Sequence, residues 1–198
     1  MPTRLILIRH GVTDWNIQNR YCGSKDISLS KEGIAQAGKL RKRLNVIKCD
    51  RVYSSDRKRA TQTAGIIFRG VRITRARGLR EIDFGVFEGL SYKEIMKKYP
   101  GIYKKWLISP FKTRIPQAEA MGPFRKRVEL AIKNIARLNL GKTIAVVCHG
   151  GVISVFITGI LKNRDFWHCI PSAGSITVVE YCKNKPKIKS FNETAHLR

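Results

Sequence analysis

Leu5-Ile6-Leu7-Ile8-Arg9-His10-Gly11 opens the chain, and Ile144-Ala145-Val146-Val147-Cys148-His149-Gly150-Gly151 repeats its design far downstream. Each apolar run is too short and too β-branched for a helix and reads as a strand buried on both faces, as in a parallel sheet. Each run then breaks at His-Gly, where the chain must turn. In open parallel α/β sheets ligands bind beyond the carboxyl ends of the strands. The two runs therefore place His10 and His149, two of only four histidines, on one rim.

Working outward, strand-like and helix-like periods alternate. Ser28 or Ser30 can cap a helix whose apolar face is Ala37, Leu40 and Leu44. Arg51-Val52-Tyr53-Ser54 reads as a strand, and Ser55 or Asp56 as the cap of a helix through Ala60, Ala64 and Ile67. Residues 71–74 suggest a further strand, residues 78–89 a loop, and residues 116–123 another loop. Phe124, Val128, Ala131, Ile135 and Leu138 mark an amphipathic helix, and residues 152–161 a small apolar one. Residues 175–181 and 187–191 close the chain as an edge hairpin. The expectation is a single α/β domain over residues 1–198, with helices on both faces of a mostly parallel sheet and an antiparallel edge.

Composition narrows the setting. The 198 residues suffice for a proper core, and 43% are hydrophobic. No apolar stretch approaches the roughly 20 residues that span a bilayer, and no basic leader with a cleavage site precedes the first strand. Five scattered cysteines without metal-site spacing suit a reducing compartment, so a cytoplasmic, disulfide-free protein without metal or cofactor is expected. Against 14 acidic residues stand 39 Lys and Arg, for a net charge of +25. The surplus runs along the whole chain rather than forming a stripe, and no aromatic-interleaved basic motif appears. A surface that favours small anionic substrates is the better account than specific nucleic-acid binding. A homodimer is compatible with the sequence.

Three strand-to-helix crossings point cations at one rim: Arg9 with His10, then Arg57 or Arg59, then His149 followed by the open N–H groups of Gly150 and Gly151. Arginine forks and helix N–H groups together saturate the oxygens of a tetrahedral dianion, which points to phosphate. Binding alone needs no imidazole. A neutral imidazole kept unprotonated by nearby positive charge is a nucleophile toward phosphorus, and the second can steady the equatorial oxygens. The rim argument does not choose between the two histidines or between the two arginines. A leaving alkoxide also needs a proton, for which Glu81, Asp83, Glu88 and Glu119 are the loop candidates. Gly141-Lys142-Thr143 is no P-loop, since Ala136 holds the leading glycine position and the strand follows rather than precedes.

Arg9-His10-Gly11-Val12-Thr13-Asp14-Trp15-Asn16 resembles the signature of the histidine phosphatase superfamily, the phosphoglycerate mutase-like enzymes. The likeness continues through Gly23, Asp26 and Leu29-Ser30-Lys31-Glu32-Gly33, then Val52 to Arg59-Ala60, then Glu81 to Leu90, and finally Val146 to Val152. It implies a three-layer α/β/α, phosphoglycerate mutase-like fold and makes His10 the phosphorylated nucleophile. Arg9, Asn16, Arg59, His149 and the backbone at Gly150 become the phosphate pocket, Glu81 the general acid and then base, and Cys22, Gly23 and Glu119 substrate contacts. Within the superfamily the chain looks most like small phosphomonoesterases, alpha-ribazole phosphatase of cobalamin assembly among them. The rival readings are a phosphoglycerate mutase-type phosphotransferase and a non-catalytic, basic nucleic-acid-binding relative. The departures, Val12, Cys22, Phe87, Ala118, Ala120 and Ala173, fall where a leaving group would be read.

Overall fold

In a computed structural model, residues 1–162, 165–183 and 185–198 are described. Strands β1 (Thr3–Arg9), β2 (Arg51–Ser54), β3 (Ile73–Arg75), β4 (Thr143–Cys148), β5 (Ile176–Cys182) and β6 (Lys185–Glu193) form one sheet in the order β3-β2-β4-β1-β5-β6. The first four run parallel, and β5 and β6 add the antiparallel edge. This is the mixed α/β architecture expected from the two apolar runs.

A one-turn helix, α1 (Asp14–Ile17), follows β1. The period-2 geometry of a strand makes the two apolar runs serve two layers at once. Ile6, Ile8, Ala145 and Val147 face α2 (Lys31–Leu44) and α3 (Lys58–Ile67) on one side. Leu5, Leu7, Ile144 and Val146 face helices α6 (Met121–Arg137) and α7 (Gly150–Leu161) on the other. All eight side chains are essentially fully buried. A third, aromatic cluster of Phe87, Tyr103 and Trp106 sits beneath α4 (Tyr92–Lys98) and α5 (Pro100–Ile108). Among the described residues no helix is long and apolar enough to cross a membrane.

Several local expectations shift. Residues 116–123 are not all loop, because α6 begins at Met121 with Pro123 in its first turn, where a missing N–H costs nothing. Leu138 lies past the end of α6 and is 70% exposed, while Ile132 and Ala136 complete the buried face. Helix α3 starts at Lys58, later than either expected cap. Ser55 Oγ is bonded instead to His149 Nε2 at 2.8 Å, and the Asp56 carboxylate is forked by Arg80 at 2.8 and 2.6 Å. Asp26 takes over the capping from a distant loop, accepting from the Lys58 N–H at 2.7 Å.

The turn after β1 is pinned onto the start of α2. Ser30 caps that helix, its Oγ accepting from Gly33 N–H and donating to the carbonyl of Val12, each at 3.1 Å. The approach is so close that a Cβ on Gly33 would lie 2.1 Å from the Val12 oxygen. Ser30→Ala removes both bonds and is expected to lower stability by about 1–2 kcal/mol in urea unfolding. A change within 0.3 kcal/mol, on the order of a neutral surface substitution, would show that the turn is held by other contacts.

Candidate active site

Arg9 ends β1, Ser54 ends β2 and Cys148 ends β4, so three adjacent parallel strands deliver their next residues to one rim. The pairing continues one residue further: His10 N–H donates to Cys148 O at 3.0 Å and Ser55 N–H to Val147 O at 2.9 Å. His10 and His149 therefore start from fixed backbone, with ring centroids 5.1 Å apart and rings near perpendicular.

Arg59, in the first turn of α3, joins them. Its Nε lies 3.3 Å from His10 Nε2 and 3.3 Å from His149 Nδ1. Its terminal nitrogens donate to the carbonyls of Lys25 at 2.8 Å and Gly23 at 2.7 Å. This guanidinium is wholly buried, as is His149, and His10 is 4% exposed. The tautomers follow from the partners. His10 Nδ1, 2.7 Å from the Gly11 carbonyl, must carry its hydrogen, so Nε2 is the bare nitrogen. His149 Nδ1 accepts from Arg59, so its Nε2 donates to Ser55. Burial, then Arg59, then Arg9 hold the His10 pKa well below its usual value, and burial and Arg59 do the same for His149.

Beside this cluster lies a cavity of about 410 Å³, lined among others by Arg9, Asn16, Cys22, Glu81, Gly150 and Gly151. Arg9 bonds the Pro171 carbonyl through one terminal nitrogen, while its buried Nε has no partner among the described residues. Asn16 spends its oxygen on the Thr13 N–H and hydroxyl, each at 3.0 Å, as the closing half of the capping box that starts α1. Glu81 is anchored through both oxygens, to Gly151 N–H at 2.8 Å and Ile82 N–H at 3.0 Å. Burial raises its pKa, and the two N–H bonds, Arg59 and Arg9 only partly oppose that. A Cβ at Gly151 would sit 2.4 Å from a Glu81 oxygen, which is why the helix opens with glycine there.

Other expected residues take different places. Gly23 contributes its carbonyl to Arg59 rather than a surface to the cavity. Cys22 does line the cavity, with burial pushing its thiol up to about 11, too high for a nucleophile at neutral pH. Glu119 does not line it, and both its oxygens are forked by Arg127 at 2.7 Å. Glu88, one of the acidic candidates, accepts instead from the backbone N–H groups of Gly23, Ser24, Lys25 and Phe84. It thereby shapes the loop whose carbonyls hold Arg59. Nothing in the local sequence marks this role, because three of these partners are main-chain groups some 60 residues away. Trp106 is buried in the aromatic cluster, and Trp167 lines the cavity.

Residues 5–194 match the family described as the histidine phosphatase superfamily, branch 1. The chain belongs to that superfamily. It is 29% identical over 198 residues to phosphoserine phosphatase 1 of Hydrogenobacter thermophilus, an alignment covering 98% of this chain and 94% of that one. It is 28% identical over 200 residues to the adenosylcobalamin/alpha-ribazole phosphatase of Salmonella typhimurium, covering 98% of each. Among solved structures, the phosphoserine phosphatase of Entamoeba histolytica in complex with 3-phosphoglyceric acid superposes with a TM-score of 0.90 at 31% identity, over 99% of this chain and 100% of that one. The fold is thus phosphoglycerate mutase-like.

Because both imidazoles are held neutral, the sign of their pH effect is determined. A folded pKa below the unfolded value of 6.5 means that protonation favours unfolding, so these histidines make stability fall as pH drops through and below 6.5. The ring-proton resonances of His10 and His149 in the ligand-free protein should stay flat from pH 8 down past 6.5. A titration midpoint at or above 6.5 for either would contradict the neutral pair.

Proposed function

We propose that the protein is a phosphomonoesterase that hydrolyses a small phosphorylated metabolite through a phosphohistidine intermediate on His10. The observation that carries this reading is the bare Nε2 of His10, fixed by the Gly11 carbonyl on the opposite ring nitrogen and turned toward Arg59. Arg9, Arg59, Asn16 and the N–H of Gly150 supply donors for the phosphoryl oxygens, while His149, whose one N–H goes to Ser55, contributes to the pocket by holding Arg59 through Nδ1. In the first step the Nε2 lone pair forms a bond to phosphorus as the ester P–O bond breaks, and the Glu81 carboxyl gives its proton to the departing oxygen. In the second, Glu81 as carboxylate takes a proton from water, the water oxygen bonds to phosphorus, and the P–N bond breaks, returning the electron pair to His10. Burial supports both starting protonation states, since it disfavours charge on the imidazole and on the carboxyl alike.

For the alcohol half, the cavity supports an aromatic or apolar group. Tyr21, Phe84, Tyr92, Tyr103, Phe166 and Trp167 line it. Arg20 lines it too, but its guanidinium is bonded to Glu94 at 2.9 Å and to the Gly89 carbonyl at 2.6 Å, which leaves it poorly suited to a substrate carboxylate. An alpha-ribazole-like ester, the substrate type named for the Salmonella relative, fits this wall better than phosphoserine or phosphoglycerate. The cavity's size suits a small-molecule ester rather than a nucleic acid. The free state of all five cysteines suits the cytoplasm.

His10→Ala should lower hydrolysis of p-nitrophenyl phosphate by on the order of 10³-fold or more with an unchanged circular dichroism spectrum. Wild-type protein should carry an acid-labile, alkali-stable phosphoryl label that passes to water. Retained activity in His10→Ala, or a label that moves instead to a phosphoglycerate, would sink the assignment. Alpha-ribazole 5'-phosphate should exceed phosphoserine and 3-phosphoglycerate in kcat/KM by about tenfold or more, a difference of roughly 1.4 kcal/mol. The reverse order would reject the aromatic wall as the specificity determinant. EDTA should leave the rate unchanged, since the proposed route through His10 and Glu81 calls on no metal ion.

A further inference from the structure

We propose that Arg127, locked by Glu119, is a positioning residue that holds the Glu81 carboxyl in register with the leaving oxygen. The inference rests on Glu81 being the proton donor of the reaction proposed above.

A guanidinium has five N–H donors in a rigid fork, and Arg127 uses all five. Nε and one hydrogen of Nη2 go to the two oxygens of Glu119, each at 2.7 Å. The other hydrogen of Nη2 goes to the carbonyl of Glu81 itself at 3.0 Å. Nη1 reaches the carbonyls of Arg80 at 2.7 Å and Gly78 at 3.2 Å. Three carbonyls within four residues of the acid loop are thus gathered by one side chain of α6. The ring of Phe124 covers one face of the guanidinium, its centroid 4.9 Å from the central carbon.

The rest of the loop is arranged around this contact. A Cβ at Gly78 would lie 2.7 Å from that of Ala131, so the loop can press against α6 only with glycine there. Glu119 N–H bonds the Asp83 carbonyl at 3.0 Å, holding the loop on the far side of Glu81. The Arg80 side chain reaches Asp56, two residues before α3, the helix that carries Arg59. The main chain on either side of Glu81 is therefore fixed to α6 and the loop before it, while its side chain is fixed to the start of α7 by Gly151 N–H. Neither Glu119 nor Arg127 lines the cavity, so both act through Glu81 rather than on the substrate.

Proton donation matters most when the leaving group is a poor one. Benzyl phosphate must expel an alkoxide, whereas p-nitrophenyl phosphate expels a stable phenolate that needs little protonation, and both present an aromatic ring to the same wall. Arg127→Lys keeps the charge and loses the fork. It should lower kcat/KM on benzyl phosphate, which reports the steps up to formation of the phosphohistidine, by roughly 10- to 100-fold, the cost of an ångström-scale misplacement. On p-nitrophenyl phosphate kcat/KM should fall by less than about threefold, and the Ki of inorganic phosphate should hold within about twofold. In a Glu81→Gln background the Arg127→Lys effect should vanish, because the residue acts through a group already removed. Equal losses on the two esters, or additive losses in the double variant, would overturn the proposal. If Arg127→Lys does not fold, Glu119→Gln, which loosens the fork without removing it, should show the same selective loss on benzyl phosphate, and equal losses there would overturn the proposal in the same way. Glu81→Gln with normal benzyl phosphate hydrolysis would reject Glu81 as the acid. An impaired Glu81→Gln beside an unimpaired Arg127→Lys would reject only the clamp.

Discussion

Arg59 is a buried cation whose hydrogen bonds all go to neutral groups, and the arrangement of the rim follows from what that requires. Taking a guanidinium out of water is costly unless hydrogen bonds replace the lost solvent. Here two imidazole nitrogens and two main-chain carbonyls do so. The imidazoles can accept only while neutral, so the charge on Arg59 and the protonation of His10 and His149 are one linked condition. The carbonyls of Gly23 and Lys25 can point at Arg59 only if their loop is folded back, and the Glu88 carboxylate does this through the loop's own N–H groups. A buried positive charge at the end of a sheet favours a dianion, and Arg9 adds a buried Nε that has no partner among the described residues.

The same burial acts in opposite directions on the two kinds of titratable group. It lowers the basicity of the histidines and raises that of Glu81. A site for phosphoryl transfer by way of an imidazole needs both effects, a free nitrogen lone pair beside a carboxyl that still holds a proton. They arise from one cause because α7 begins between the two groups, with His149 at its cap and Gly151 holding Glu81. The surface charge of +25 plays a looser part, drawing anions toward the molecule without selecting among them.

Much of this was legible in the residues because some signals are local. Buried parallel strands advertise themselves as continuous β-branched runs, and a His-Gly break after such a run can only lie at a strand's carboxyl end. Ser30 announces its helix because a cap bonds N–H groups three residues away. The caps of α3 were misleading for the same reason: Ser55 and Asp56 have cap chemistry, but His149 and Arg80 compete for it from distant segments. Glu119 was equally ambiguous. A loop carboxylate beside a predicted pocket reads as a substrate contact, and only the position of Arg127 on α6 turns it away.

By itself the sequence determined the sheet and the rim and pointed to phosphate, with family resemblance proposing which histidine and which arginine lead. Those depend on alternation, turn chemistry and residue type, all carried within a few positions of one another. Tertiary structure alone decided the tautomers, the anchoring of Glu81, the five-bond fork of Arg127 and the aromatic wall of the cavity. Each of these depends on distance and direction between groups, most of them tens of residues apart, and a linear order of residues contains neither.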